Sequence, residues 1–108
     1  MQKVINVLSE GRSVEEAYKN FMIAQVNESC LRLAVFQGDY PWHSHPFSDE
    51  LFMVVEGELV IEFRDSDAVV LNPFDVFLVP RGTVHRTRAS VRTANLCFEH
   101  DGCETKFI

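Results

Sequence analysis

Apolar and polar positions alternate along much of this chain over short stretches, which is the period of a half-buried β-strand. In residues 30–37, Leu31, Leu33 and Val35 share one face, while Arg32, Ala34 and Phe36 share the other. Leu59, Ile61 and Phe63 alternate with Val60, Glu62 and Arg64 in the same way. Further short strands are expected over residues 4–8, 22–26, 68–71, 76–79, 85–88 and 91–98. Turn-forming segments separate them: Asn27-Glu28-Ser29, Asp65-Ser66-Asp67, Asn72-Pro73-Phe74-Asp75, Pro80-Arg81-Gly82 and Ala89-Ser90. One stretch has helical spacing instead. Val14, Ala17, Tyr18 and Phe21 follow a capping box, Ser13-x-x-Glu16, and predict a short amphipathic helix over residues 13–20. Two turns are marginal alone, so this helix is expected to cover an open side of a sheet.

Residues 50–56 and 58–64 are expected to pair around Glu56-Gly57. With Glu50 turned inward, Phe52 and Val54 share its face, leaving Leu51, Met53 and Val55 on the other. Both faces of this strand are then apolar. The outer one needs a cover, either the N-terminal segment or a second copy of the chain. Residues 101–108 form a tail, polar at first, with a final edge pairing at Phe107-Ile108. Short strands, frequent turns and a single helix predict an all-β sandwich or barrel.

Composition narrows the setting. A chain of 108 residues suits one domain, and nine phenylalanines within a 46% hydrophobic composition imply a filled interior. The net charge of −6 argues against nucleic acid and against an anionic membrane as partners. Arg81, Arg86, Arg88 and Arg92 come closest to a basic cluster, and a solvated strand edge is expected there rather than an anion site. Three cysteines without a Cys-x-x-Cys spacing fit a reducing cytosol. The first residues are too short and too polar a stretch for a signal peptide or a membrane span. A soluble, cytoplasmic protein is the expectation.

The candidate chemistry lies in the histidines. His43 and His45 point to one face of an extended segment, and Glu50 follows them closely. Two imidazoles and a carboxylate so placed can hold a divalent metal. His85 comes after Pro80-Arg81-Gly82, a sharp turn that aims the next strand inward. Here the chain resembles the cupin superfamily. Gly38, His43, His45, Glu50 and Gly57 match its first motif, with one residue fewer than usual between Gly38 and His43. Pro80, Gly82 and His85 match its second motif, where Phe74 stands at the leading glycine and Ala89 at the trailing asparagine.

The resemblance implies a single-domain double-stranded β-helix, the RmlC-like jelly-roll barrel, over residues 30–100. Residues 1–29 would form a strand, helix and hairpin extension packed on it. It also implies that His43, His45, Glu50 and His85 ligate one divalent transition metal: iron, manganese, nickel, zinc, cobalt or copper. Two coordination positions would stay open for water, dioxygen or a chelating substrate. A metal-dependent enzyme acting on a small molecule is therefore expected. A dioxygenase is favoured over an isomerase or epimerase, since spacing alone fixes no second carboxylate or histidine beside the metal. The other reading is a non-catalytic module that binds a metal, a sugar or another metabolite. No DNA-binding helix pair is present to make it a regulator of transcription. Tyr40, Thr87 and Glu99 are lesser candidates for assisting the metal, with His100 as a further acid–base group. Tyr40 and Trp42 fall near the barrel mouth, for packing or for stacking on a substrate ring. Cys97 is expected to be a small buried hydrophobe. A homodimer is expected, from the two-sided apolar strand and from the resemblance.

Overall fold

The computed structural model describes residues 1–108 as one helix and nine strands. The helix α1 spans Val7–Ser13. The strands are β1 (Tyr18–Val26), β2 (Ser29–Asp39), β3 (His43–Ser44), β4 (Glu50–Glu56), β5 (Leu59–Phe63), β6 (Val69–Leu71), β7 (Val76–Val79), β8 (His85–His100) and β9 (Lys106–Phe107).

Strand β8 is the spine of the molecule. Its first half pairs with β3 and β5, and its second half with β4, while β2 runs beside most of its length. Residues 89–90 therefore do not end a strand, as their small side chains had implied. The strand continues through them and changes partners, and irregular registers at Phe36/Gly38 and Val54/Glu56 absorb the bend. The expected pairing of residues 50–56 with 58–64 does not form. Gly57, at φ +95°, turns the chain so that β4 joins β7 and β8 while β5 joins β6 and β8. All ladders are antiparallel, and the sheet curls into a double-stranded β-helix.

The helix lies earlier than the capping box predicted. Asn6 caps it, its side chain accepting from Ser9 N at 2.9 Å, and it closes at Val14. No strand forms over residues 4–8, and Tyr18 onward is extended. The apolar stripe of residues 14–21 fits a helix locally, but β1 gains a full antiparallel ladder against β2, and that pairing outweighs local periodicity.

Two apolar clusters follow from the two faces of the sheet. Inside the barrel, Phe36, Phe52, Val54, Leu59, Ile61, Leu71, Val79, Ala89 and Cys97 pack together. Outside it, Val14, Leu33, Val35, Val55 and Ala94 form a second cluster beneath Val7 and Leu8 of α1. The N-terminal segment thus covers the Val55 end of β4. Farther along this outer face Leu78 and Phe98 flank Leu51, and Val76 and Leu96 flank Met53, with Val76, Leu78 and Phe98 exposed.

Candidate metal centre

Backbone pairing brings the four predicted ligands together. His43 lies directly opposite His85 in the β3–β8 ladder, and Glu50 opens β4. The turn before His85 is pinned to the first segment: Gly82 N donates to the His45 carbonyl at 2.9 Å, and Arg81 N to Asp49 Oδ1 at 2.9 Å. The C-terminal strand closes the other side, with Phe107 opposite His43 and Ile108 N donating to the Trp42 carbonyl at 3.1 Å. The potential ligand atoms of His43, His45, Glu50 and His85 all lie within 4.8 Å of one another, and all four residues are buried.

The backbone also orients the rings. Nδ1 of His43 lies 2.7 Å from the Pro41 carbonyl, Nδ1 of His85 2.9 Å from that of Thr83, and Nδ1 of His45 3.2 Å from that of Glu104. A carbonyl only accepts, so each Nδ1 carries the proton and each Nε2 keeps a lone pair. Nε2 of His45 and of His85 then face Glu50 Oε1 at 3.2 and 3.4 Å. Glu50 Oε1 and His85 Nε2 are buried without a hydrogen-bond partner. Lone pairs turned toward one another in a buried place need a cation between them, either a proton or a metal ion. The donor set fits a divalent metal, since imidazoles fixed through Nδ1 by backbone carbonyls are the usual form of histidine ligand.

The ionisation behaviour agrees. Burial, reinforced by the charges of His85 and His45, pushes His43 down to about 4, so its ring is neutral near neutral pH. Burial acts against charge on His45 too, but Glu50 outweighs it and raises that histidine. Burial by itself would raise Glu50, yet the closeness of the His45 and His85 rings, at 3.2 and 3.4 Å, holds its carboxyl well below the usual range.

Three of the four, His43, His45 and Glu50, line a cavity of about 490 Å³, while His85 is buried outside its lining. Tyr40, Thr87 and Glu99, the lesser candidates, all line it, as does His100. Tyr40 stands edge-on to His43, with ring centroids 5.0 Å apart, and stacks on Tyr18 at 5.7 Å. Glu99 accepts from the Cys103 thiol at 3.3 Å, and the potential ligand atoms of both lie within 4.8 Å of that of His45. Burial and the nearby charge of Glu50 push the Glu99 carboxyl upward. Cys97 is buried, as expected, at the back of the cavity.

Trp42 takes the packing role. It is no part of the cavity wall, and Arg64 and Arg86 lie 5.2 and 5.1 Å from its ring. The arginines of residues 81–92 also stay outside the cavity. Arg86 and Arg88 pair with Glu62, and Arg92 donates to carbonyls at the end of α1. Sequence reasoning missed Tyr18, Asn20, Arg32 and Cys103. The alternation that places Arg32 with Ala34 and Phe36 was visible, but only the curl of the sheet makes that face the cavity wall.

A curled antiparallel sheet with this buried histidine–glutamate cluster at one end is the cupin architecture. Residues 32–96 match the Cupin_2 model, described as Cupin domain, and the chain belongs to that family. It is 55% identical over 108 residues to Uncharacterized protein YdbB of Bacillus subtilis (strain 168), covering 100% of this chain and 96% of that protein. Over 55 residues it is 42% identical to germin-like protein subfamily 1 member 17 of Arabidopsis thaliana, which is 44% of this chain and 25% of that one. Among solved structures, a cupin-2 domain containing protein from Shewanella frigidimarina superposes with a TM-score of 0.83 at 29% identity, over 90% of this chain and 94% of that one.

Proposed function

We propose that the chain is a metal-dependent enzyme acting on a small molecule, with one divalent transition metal held by His43, His45, Glu50 and His85. The observation that carries this reading is the pair of buried, unpartnered atoms, Glu50 Oε1 and His85 Nε2, beside a cavity large enough for a small ligand whose wall includes His43, His45 and Glu50. Bound there, a divalent metal supplies Lewis acidity and open positions for a substrate oxygen or, if redox-active, for dioxygen.

The preference for a dioxygenase rested on the lack of an acid–base group beside the metal. Glu99 in the cavity wall removes that ground and supports proton transfer, the chemistry of isomerases and epimerases. Glu99 can hold a proton on its carboxyl, and the Cys103 thiol fixes its orientation. The test combines metal analysis of the purified protein with two turnover assays. One is oxygen uptake with catechol, flavonol and diketone substrates. The other is deuterium incorporation from heavy water into sugars and hydroxy acids. Exchange without oxygen uptake is the expected result, and oxygen uptake would make the protein a dioxygenase. A redox-inert metal with neither activity would leave a non-catalytic module binding a metal or metabolite.

A homodimer through the outer face of β7, β4 and β8 belongs to the same proposal. It is supported by exposed Val76, Leu78 and Phe98 around Leu51, beyond the reach of α1. Light scattering should give twice the chain mass, and a monomer at micromolar concentration would refute it. No helix is long and apolar enough to cross a membrane. The three free cysteines support a place in the reducing cytosol.

A further inference from the structure

We propose that Arg32 anchors the substrate through a carboxylate, so that the site takes a small carboxylic acid carrying a second oxygen donor. The second donor rests on the metal reading above, whereas the carboxylate contact rests on Arg32 alone.

Arg32 is the one lysine or arginine in the cavity wall. It lies opposite Cys97 of β8, which in turn lies opposite Phe52 of β4, so its strand is two ladders away from that of Glu50. Neighbouring strands are about 4.8 Å apart, which puts roughly 10 Å between the two backbones. A small molecule reaching from the metal cluster toward β2 meets the guanidinium across that gap.

The other arginines near carboxylates are committed elsewhere: Arg12 pairs with Glu56, and Arg86 and Arg88 with Glu62. Arg32 forms no ion pair, although it is half-buried in a protein of net charge −6. Asn20 of β1 positions it instead. Arg32 Nε donates to Asn20 Oδ1 at 2.6 Å, and Nη2 to the Asn20 carbonyl at 3.4 Å. These contacts use the side edge of the guanidinium. No hydrogen bond of the protein uses Nη1, so the end-on Nη1–Nη2 edge is free for the two oxygens of a carboxylate.

The acidic groups of the same wall have partners of their own. Glu50 belongs to the metal cluster, Glu99 accepts from Cys103, and Asp101 accepts from Gln25 Nε2 at 2.8 Å. A neutral ligand would bury the free guanidinium edge without an acceptor, and a cation would meet its charge. A carboxylate completes it.

The test is calorimetric binding of glycolate, lactate and malate against their neutral amides, using the protein as purified and again after chelation. Each acid should bind about tenfold to a hundredfold tighter than its amide, the range of a charge-assisted bidentate contact. Arg32→Gln should abolish that preference, Arg32→Lys should keep part of it, and Arg81→Gln, outside the cavity, should leave it intact. Unfolding curves confirm that each variant is folded, and Arg32→Lys carries the comparison if Arg32→Gln is not. Equal binding of acids and amides, a preference that survives Arg32→Gln, or no binding of any acid at millimolar concentration would overturn the proposal. The chelated sample separates the two ideas. A preference unchanged by chelation keeps Arg32 as the anchor and removes the metal from substrate binding.

Discussion

Replacing Glu50 by Gln tests the metal centre at its one negative charge. The substitution keeps the shape of the side chain, removes the charge and turns half of the head group into a donor. In the metal-free protein the new amide N–H can donate to a histidine Nε2 that otherwise faces Oε1 at 3.2 or 3.4 Å. The fold should therefore change in stability by no more than about 1–2 kcal/mol. With metal the difference is larger. Loss of an anionic ligand from a set of four should weaken binding by about a hundredfold, at least what losing an outer-shell partner costs. At a free metal concentration of about 100 Kd the wild-type chain gains about 2.7 kcal/mol, whereas the variant then sits near its own Kd and gains about 0.4 kcal/mol. For a domain of this size each kcal/mol moves the midpoint by about 4–8 °C, giving a rise of about 10–20 °C for wild type and about 2–3 °C for Glu50→Gln. The assay is thermal unfolding by circular dichroism, after chelation and after refilling with manganese, cobalt, nickel or zinc, with metal content measured on the same samples. Full metal-induced stabilisation of Glu50→Gln, or none in the wild type with any of these ions, would refute the ligand assignment.

Three further outcomes are expected. Gly57→Ala should destabilise the fold by about 2–4 kcal/mol in urea titrations, because a non-glycine residue is strained at φ +95° and a Cβ there would lie 2.7 Å from the Arg92 carbonyl and 2.8 Å from Thr93 Cα. A loss below about 0.5 kcal/mol would mean that this turn relaxes freely. Leu59→Ala, at a fully buried position of the inner cluster, should cost about 2–5 kcal/mol by the same method, and a smaller loss would show that the barrel collapses into the gap. Burial and the Glu99 charge raise the Cys103 thiol to about 12, from 9.0 in an exposed cysteine. The folded chain therefore holds this proton where the unfolded chain has released it, so the stabilising contribution of the site is complete below pH 9 and is lost as the pH rises toward 12. At pH near 8, iodoacetamide should label Cys103 in the native protein at least about tenfold more slowly than in urea, and Glu99→Gln should speed the native reaction. Equal native and unfolded rates would contradict the raised thiol.

Local sequence determined a good deal of this protein by itself. Alternation within residues 30–37 and 59–64 is a property of neighbouring side chains, and it survives in β2 and β5. The His43, His45 and Glu50 grouping, and the sharp turn before His85, are likewise short-range features that the fold then uses. The tertiary structure alone decided which strands pair. The stripe at Val14, Ala17, Tyr18 and Phe21 has helical spacing, and the ladder with β2 overrides it from Tyr18 onward. Ala89 and Ser90 look like a turn until β8 has partners on both sides of the bend. The same holds for the cavity wall. Asn20 and Arg32 are far along the chain from Glu99 and Cys103, and no local pattern marks the four as a group. They meet because β1, β2 and β8 lie side by side in register, the sheet curls around their inward face, and the turn after β8 brings Cys103 back to Glu99. Ligands close in sequence are legible because backbone geometry fixes their common face, whereas residues brought together across strands depend on registers that only the completed sheet defines.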